Sequence, residues 1–426
     1  MQPPQVVTYA DDFTGATDAL ATAARAGLRS LLFLRVPDEA LRARAGTLDW
    51  LGIAGAARSM TPDAMSKELA PVTALFRASG ARLLHYKTCS TFDSAPQVGN
   101  IATAIEALRP AVTQAWTAIV GGQPGLGRWC AFGHLFAAAG AGGEVFRLDR
   151  HPTMSRHPVT PMHESDLRLH LAAQGLARTA LVPWTAYAQG VDNALAQALA
   201  TSPDAVLFDV LQPSDLPVVG RVLRARTETA TLLAAGPSSV LQAWASDVPA
   251  GEDPIAPADG PVFVLAGSLS PVTARQVEAA TSYEKFWIDP AQLIAAGGRY
   301  LQDSAAAIAG RLHQGRSVLA CTVTPGRVQQ TDLPARELAL AGGRLLARVL
   351  TLAPLRRVGV AGGDTSSLGV QALNAWGLSY EGALAAGCAL CRLHSDVPAL
   401  DGVQILLKGG QMGDAPLFER LLHGRT

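Results

Sequence analysis

One unit recurs along the chain and limits its architecture: a short apolar run, a loop carrying Gly, Asp or Ser, then an Ala- and Leu-rich stretch of helical period. Val6–Ala10 runs into Asp11-Asp12-Phe13-Thr14-Gly15, and a helix is expected from about Ala16 to Ala26, ending at Gly27. Leu31–Leu34, Leu51–Ala54, Arg82–Tyr86, Ala118–Val120 and Ala205–Phe208 continue the series. Strands that alternate with helices predict parallel sheets covered by helices. A polar, Pro-rich and aperiodic stretch, Asp247 to Asp259, interrupts the pattern with linker chemistry. The unit then restarts at Val262–Ser268, Ser317–Thr322, Arg357–Gly363 and Val403–Lys408. The expected fold is therefore α/β in two domains, 1–246 and 261–426, joined by a 247–260 linker. Each has a mainly parallel sheet flanked by helices, and the ligand site is expected in the interdomain cleft.

Composition supports large cores. Of 426 residues, 49% are hydrophobic and 16% charged, which excludes general disorder. Lys+Arg and Asp+Glu both number 35, so no bulk field draws in nucleic acid or an anionic membrane, and an anionic ligand must be held by local groups. Neither nucleic acid nor membrane is an expected partner; self-association is left open. Cys89, Cys130, Cys321, Cys388 and Cys391 form no disulfide framework. Cys388-Ala-Leu-Cys391 has redox or metal spacing, but it falls in an Ala-rich pattern, Glu381 to Leu393, expected to be a core helix. No apolar run reaches membrane-spanning length and the first residues lack secretory features, so a cytoplasmic protein is expected.

Ligands of open α/β sheets gather beyond the carboxyl ends of strands, where helix N-termini offer unpaired N–H groups and a positive dipole end. In the second half, Gly267-Ser268-Leu269-Ser270, Gly362-Gly363-Asp364-Thr365-Ser366-Ser367 and Lys408-Gly409-Gly410-Gln411-Met412-Gly413 each follow a strand. One such loop alone reads as a turn. Three in one half read as a cradle for nucleotide phosphates, with hydroxyls of Ser268, Ser270, Thr365 and Ser366 for phosphate oxygens or a metal's waters. None is a Walker A or GxGxxG sequence.

The first half differs. Asp11 and Asp12 stand at a strand end before a helix, where they can simply cap it. Alternatively one is a general base or metal-water ligand and the other orients substrate hydroxyls. Lys87, with Ser90, Thr91, Asp93 and Ser94 close by, suits a carboxylate or a developing phosphoryl charge, or is an ordinary exposed lysine. The run Asp149 to Pro161 holds Arg150, His151, Arg156 and His157; it reads as a sugar-acid site with Arg156 as the carboxylate fork, or as an ordinary loop. Its histidines lack zinc spacing, and no metal ligand is assigned. Gly121–Arg128 looks like a phosphate loop, but its Pro124 and the weak helix signal behind it count against that, leaving Arg128 as a residue that reaches the ligand.

Tyr9–Asp18, Tyr86–Ser94, Gly362–Ser366 and Leu407–Gly413, in this order, resemble the four-carbon acid sugar kinase family, over nearly the whole chain. The resemblance implies a sugar-acid-binding first domain, a nucleotide-binding second domain, and phosphorylation of a small sugar acid with ATP and Mg2+. On that reading Asp12 is the expected base, with Asp11 second, and Lys87, Ser90, Thr91, Asp93, Arg128, Arg156 and His157 are expected around the acid. Ser268, Ser270, Gly362 to Ser366 and Lys408 to Gly413 would line the nucleotide site. Cys89 stands where many members have Asp, and Phe92-Asp93-Ser94 where they have Leu-Arg-Gly. The Cys-Ser-Thr-Phe-Asp-Ser form, with Gly133–Phe136 and His157–Met162, is similar to the branch acting on 3-oxo sugar acids. Ser367 and Gly409 depart from the usual Gly and Ser, which bears on phosphate contacts rather than on the fold. The rivals are a dehydrogenase, which lacks its dinucleotide fingerprint, and a non-catalytic sugar-acid sensor.

Overall fold

The computed structural model describes residues 2–140, 142–157, 159–246, 254–267, 270–295, 298–322, 333 and 335–425. The chain forms two compact units, residues 1–251 and 252–426. Both are α/β.

The first unit contains β1 (Val6–Ala10), β2 (Ser30–Phe33), β3 (Trp50–Ala54), β4 (Leu83–Lys87), β5 (Thr117–Gly121), β6 (Arg128–Ala131), β7 (His134–Ala138), β8 (Val145–Arg147), β9 (Thr179–Val182), β10 (Ala205–Asp209) and β11 (Leu232–Gly236). Eight of these build a sheet in the order β2-β3-β1-β4-β11-β5-β10-β9, with every pair parallel. All five residues of β1, β3, β4, β5, β10 and β11 are buried, as expected of parallel strands covered on both faces. Strands β6, β7 and β8 make a separate antiparallel sheet.

In the second unit, β12 (Phe263–Ala266), β13 (Glu284–Trp287), β14 (Val318–Cys321) and β15 (Arg357–Ala361) precede a hairpin of β16 (Ala375–Ala385) and β17 (Cys388–Ser395), followed by β18 (Gln404–Lys408). Their order is β13-β14-β12-β15-β18-β17-β16, parallel up to β18 and antiparallel beyond it. Ile255, in the stretch read as linker, is bridged to Arg425; residues 247–253 of that stretch lie outside the described residues.

One expectation is corrected here. Cys388 and Cys391 lie on a strand, not on a helix. The Ala-rich composition favours helix locally, but this segment pairs on both sides, with β16 and with β18, and tertiary pairing overrides propensity. Burial pushes the Cys391 thiol up to about 12, so it is a protonated core residue. The loop after β5 forms a short 3-10 turn, Pro124–Leu126, and leads into β6, in keeping with the weak helix signal read behind it.

Candidate functional site

In the first unit, the carboxyl ends of four neighbouring strands lie level: Ala10 is opposite Ala54 on one side and Lys87 on the other, and Lys87 is opposite Gly236. The loops leaving these ends carry most of the charged candidates. Helix α1 (Phe13–Arg25) begins at once, and Asp12 is its N-cap. Its Oδ1 accepts the Gly15 N–H at 2.9 Å and its Oδ2 the Thr14 hydroxyl at 2.6 Å. Capping, the plainer of the two readings of this carboxylate, is thus one of its roles. Gly15 leaves room for it: a Cβ there would stand 2.4 Å from Asp12 Oδ1 and 3.0 Å from Lys87 Nζ.

Sequence reasoning missed the residue that joins these groups. Arg58, beyond the end of β3, donates Nη2 to Asp11 Oδ1 at 2.8 Å, Nε to Asp11 Oδ2 at 3.3 Å and Nη1 to Asp12 Oδ2 at 3.0 Å. The available signal was the rule that picked out Lys87, a cation just past an apolar strand. The two carboxylates are driven apart. Burial pushes Asp11 up to about 6, against the pull of Arg58. Burial acts on Asp12 too, but Arg58, Lys87, the Thr14 hydroxyl and the Gly15 N–H together hold it below the usual carboxylate range. Asp11 is almost sealed from solvent, whereas the Asp12 side chain keeps 14% exposure.

Lys87 is buried, and its ammonium donates to the Thr88 carbonyl at 2.9 Å. In the following loop Thr91 Oγ1 donates to Asp93 Oδ1 at 2.6 Å, and Ser94 bonds His170 at 2.8 Å. Burial pushes the Cys89 thiol up to about 11, with Asp93 adding to it, so the protonated thiol is favoured there. The guanidinium groups of Arg58 and Arg128 both interact with the carboxylate of Asp93, which places both cations around this loop. Ser90 is half-buried beside it. Arg156 is exposed, and His157 Nδ1 accepts the Thr160 N–H at 3.1 Å. Among the described residues no hydrogen bond or ion pair links Arg156 or His157 to the Asp11–Asp12–Arg58 group.

In the second unit the three Gly-bearing loops begin side by side, because Ala266, Ala361 and Lys408 are level on adjacent parallel strands. The first leads to helix α2 (Pro271–Ala279), capped by Ser270, and the second to helix α3 (Gly363–Gln371). Ser268 and the side chain of Asp364 lie outside the described residues. Gly267 is required by contact, since a Cβ would stand 2.4 Å from Thr365 Oγ1. Among the described residues nothing stands within 4 Å of a Cβ placed at Gly363. Ser366 is fully buried, its hydroxyl on the carbonyls of Val360 and Lys408. Lys408 is fully buried as well. Its ammonium donates to Thr273 Oγ1 at 2.8 Å and Gln276 Oε1 at 2.7 Å, while Gln276 Nε2 holds the Met412 and Asp414 carbonyls. Burial lowers Lys408 to about 8. Through α2 it fixes the 409–414 turn. Gly409, Gly410, Met412 and Gly413 are half-buried and Gln411 is exposed. Among the described residues no three His, Cys, Asp or Glu side chains gather as a metal site, and no helix is long and apolar enough to cross a membrane.

A two-domain α/β chain with acidic strand ends in one unit and glycine-lined strand ends in the other has clear relatives. A family model described as a sugar-binding N-terminal domain matches residues 6–244, and one described as a nucleotide-binding C-terminal domain matches residues 263–418. The 3-oxo-isoapionate kinase of Paraburkholderia graminis is 38% identical, over 98% of this chain and 94% of its own. The 3-oxo-tetronate kinase of Burkholderia multivorans is 32% identical, over 98% and 97%. The solved structure of Haemophilus influenzae protein HI1011, of the DUF1537 family, shares the fold with a TM-score of 0.73 at 24% identity, over 97% of this chain and 98% of that one. The chain belongs to the four-carbon acid sugar kinase family.

Proposed function

We propose that the chain is an ATP-dependent kinase that phosphorylates a hydroxyl of a small 3-oxo sugar acid, with 3-oxo-isoapionate, taken to its 4-phosphate, as the preferred substrate. The observation that carries this reading is the carboxylate pair Asp11–Asp12, clamped by Arg58 beside Lys87 and split in proton affinity. Pairs pushed apart in this way assign acid–base roles. Asp12, the more exposed and more firmly ionised, accepts the proton of the attacking hydroxyl. Asp11 keeps Arg58 in place. Lys87 and Arg58 offset charge on the transferring phosphoryl group, because phosphoryl transfer needs positioning and charge neutralisation more than covalent chemistry. Ser90, Thr91 and Asp93 hold substrate hydroxyls, and Arg128 serves the acid group, with Arg156 and His157 outside the Asp11–Asp12–Arg58 group.

The second unit takes ATP on Ser268, Ser270, Gly362, Gly363, Asp364, Thr365, Ser366 and the 409–413 turn, with Lys408 shaping that turn from below. Mg2+ prefers oxygen ligands and keeps several waters, so the triphosphate and one or two hydroxyls or carboxylates of these loops suffice to hold it. Direct transfer requires the acid bound by the first unit to meet the triphosphate bound by the second. The relatives' names support the substrate class, and the higher identity to the isoapionate enzyme favours that acid over 3-oxo-tetronate. The reaction is placed in the cytoplasm, where ATP is plentiful.

A coupled ADP-release screen over C4 and branched C5 sugar acids, including their 3-oxo forms, tests the reading. Turnover with 3-oxo-isoapionate well above that with 3-oxo-tetronate is expected. Turnover with 3-oxo-tetronate alone reassigns the substrate. ADP release with none of the acids makes the chain a binding protein.

A further inference from the structure

Resting on the proposed function and extending it, we propose that Gln123 and Arg128 together read the acid end of the substrate, a carboxylate flanked by a hydroxyl. The two residues face each other across the short turn after β5. Their backbones exchange both hydrogen bonds, Gln123 N–H to Arg128 O at 2.9 Å and Arg128 N–H to Gln123 O at 3.3 Å, as an antiparallel bridge. In such a pair both side chains leave the same face. Each carries a buried polar atom without a hydrogen-bond partner: Gln123 Oε1, an acceptor, and Arg128 Nε, a donor. Buried orphans are rare in native folds because each forfeits its hydration for nothing. Two of opposite kind on one turn match a ligand that offers both an anionic acceptor and a donor.

The surroundings fix what each atom can do. Gln123 is 1% exposed, and its Nε2 lies 3.3 Å from Asp18 Oδ2, which also takes the Ser238 hydroxyl at 2.5 Å. An ionised carboxylate only accepts, so the amide nitrogen must face Asp18 and the oxygen is left for another donor. Arg128 commits only Nη1 to protein, on the carbonyls of Leu126, Gly127 and Ala138. This leaves the Nε–Nη2 edge, the side that grips a carboxylate with two parallel bonds. No carboxylate of the described residues pairs with Arg128, and its charge reaches Asp93 in the acceptor loop. The carboxylate therefore belongs to half-buried Arg128 rather than to exposed Arg156.

Calorimetric titration without nucleotide tests this, using wild type, Arg128→Met, Arg128→Lys and Gln123→Met. The probes are 3-oxo-isoapionate, 3-oxo-tetronate and D-erythronate, with erythritol lacking the carboxylate and 3,4-dihydroxybutanoate lacking the 2-hydroxyl. Arg128→Met is expected to weaken the acids roughly 10- to 100-fold and to erase selectivity for D-erythronate over erythritol, with Arg128→Lys intermediate. Gln123→Met is expected to weaken D-erythronate about tenfold and to leave 3,4-dihydroxybutanoate unchanged. Unchanged melting temperature and ATP affinity show that each variant is folded. Equal losses for acid and alcohol, retained acid selectivity, or no acid binding by wild type overturn the proposal and leave the orphans to a structural water. ADP release run in parallel separates the two readings. A wild type that binds acid through Arg128 but forms no ADP removes the kinase and keeps the reader.

Discussion

Asp11 and Asp12 are neighbours with the same side chain, yet their surroundings give them different work. Asp12 caps α1 and keeps contact with solvent, whereas Asp11 is enclosed with the guanidinium of Arg58. If Asp12 takes the substrate proton, Asp12→Asn should lower turnover by roughly 100-fold or more while ATP affinity holds. Unchanged turnover would remove Asp12 from that role. Asp11 carries a pH signature. Its folded value of about 6 exceeds the ordinary 3.8, so the folded chain binds this proton more tightly than the unfolded one. The stability it contributes is full below about pH 4 and is lost as pH rises to 6, by up to about 3 kcal/mol. Asparagine imitates the protonated acid, so the melting temperature of Asp11→Asn relative to wild type should climb between pH 4 and pH 7. A difference independent of pH would show that Asp11 is not held up by burial. Asp11, Asp12 and Lys87 were legible because strand ends advertise themselves in sequence. Arg58 was not, since its partners Asp11 and Asp12 lie more than forty residues away in sequence, and the Gln123–Arg128 pairing was not, since the turn that joins them carries no strand or helix period.

At the scale of elements, three parallel strands set the three Gly-bearing loops proposed to hold ATP. Each loop owes its shape to something below it: Thr365 against Gly267, Ser366 on the Val360 carbonyl, and Lys408 through Thr273 and Gln276. The start of α3 is different, because no described residue stands within 4 Å of a Cβ at Gly363. Gly363→Val should therefore fold normally yet weaken ATP at least tenfold by filling the space a phosphate needs, as read by calorimetry and a melting curve. Normal ATP affinity would move the phosphates elsewhere. The β/α alternation behind these loops could be read from apolar runs and Gly-rich breaks. The β16–β17 hairpin could not, because an Ala-rich stretch carries no period, and only its neighbours β16 and β18 make Cys388–Ser395 a strand.

For the whole molecule, the two units divide the chemistry. One presents paired acids and buried cations that suit a hydroxylated acid. The other presents main-chain amides at helix starts that suit a triphosphate. The two family models meet the chain in the same order, 6–244 and 263–418. Amide hydrogen exchange on the intact chain tests this division most directly, with a non-hydrolysable ATP analogue and a 3-oxo sugar acid added separately. The analogue should protect the amides just after Ala266, Ala361 and Lys408, and the acid those after Ala10, Lys87 and Gly121. Protection by the analogue centred on the loops of the first unit, or by the acid on those of the second, would contradict the account.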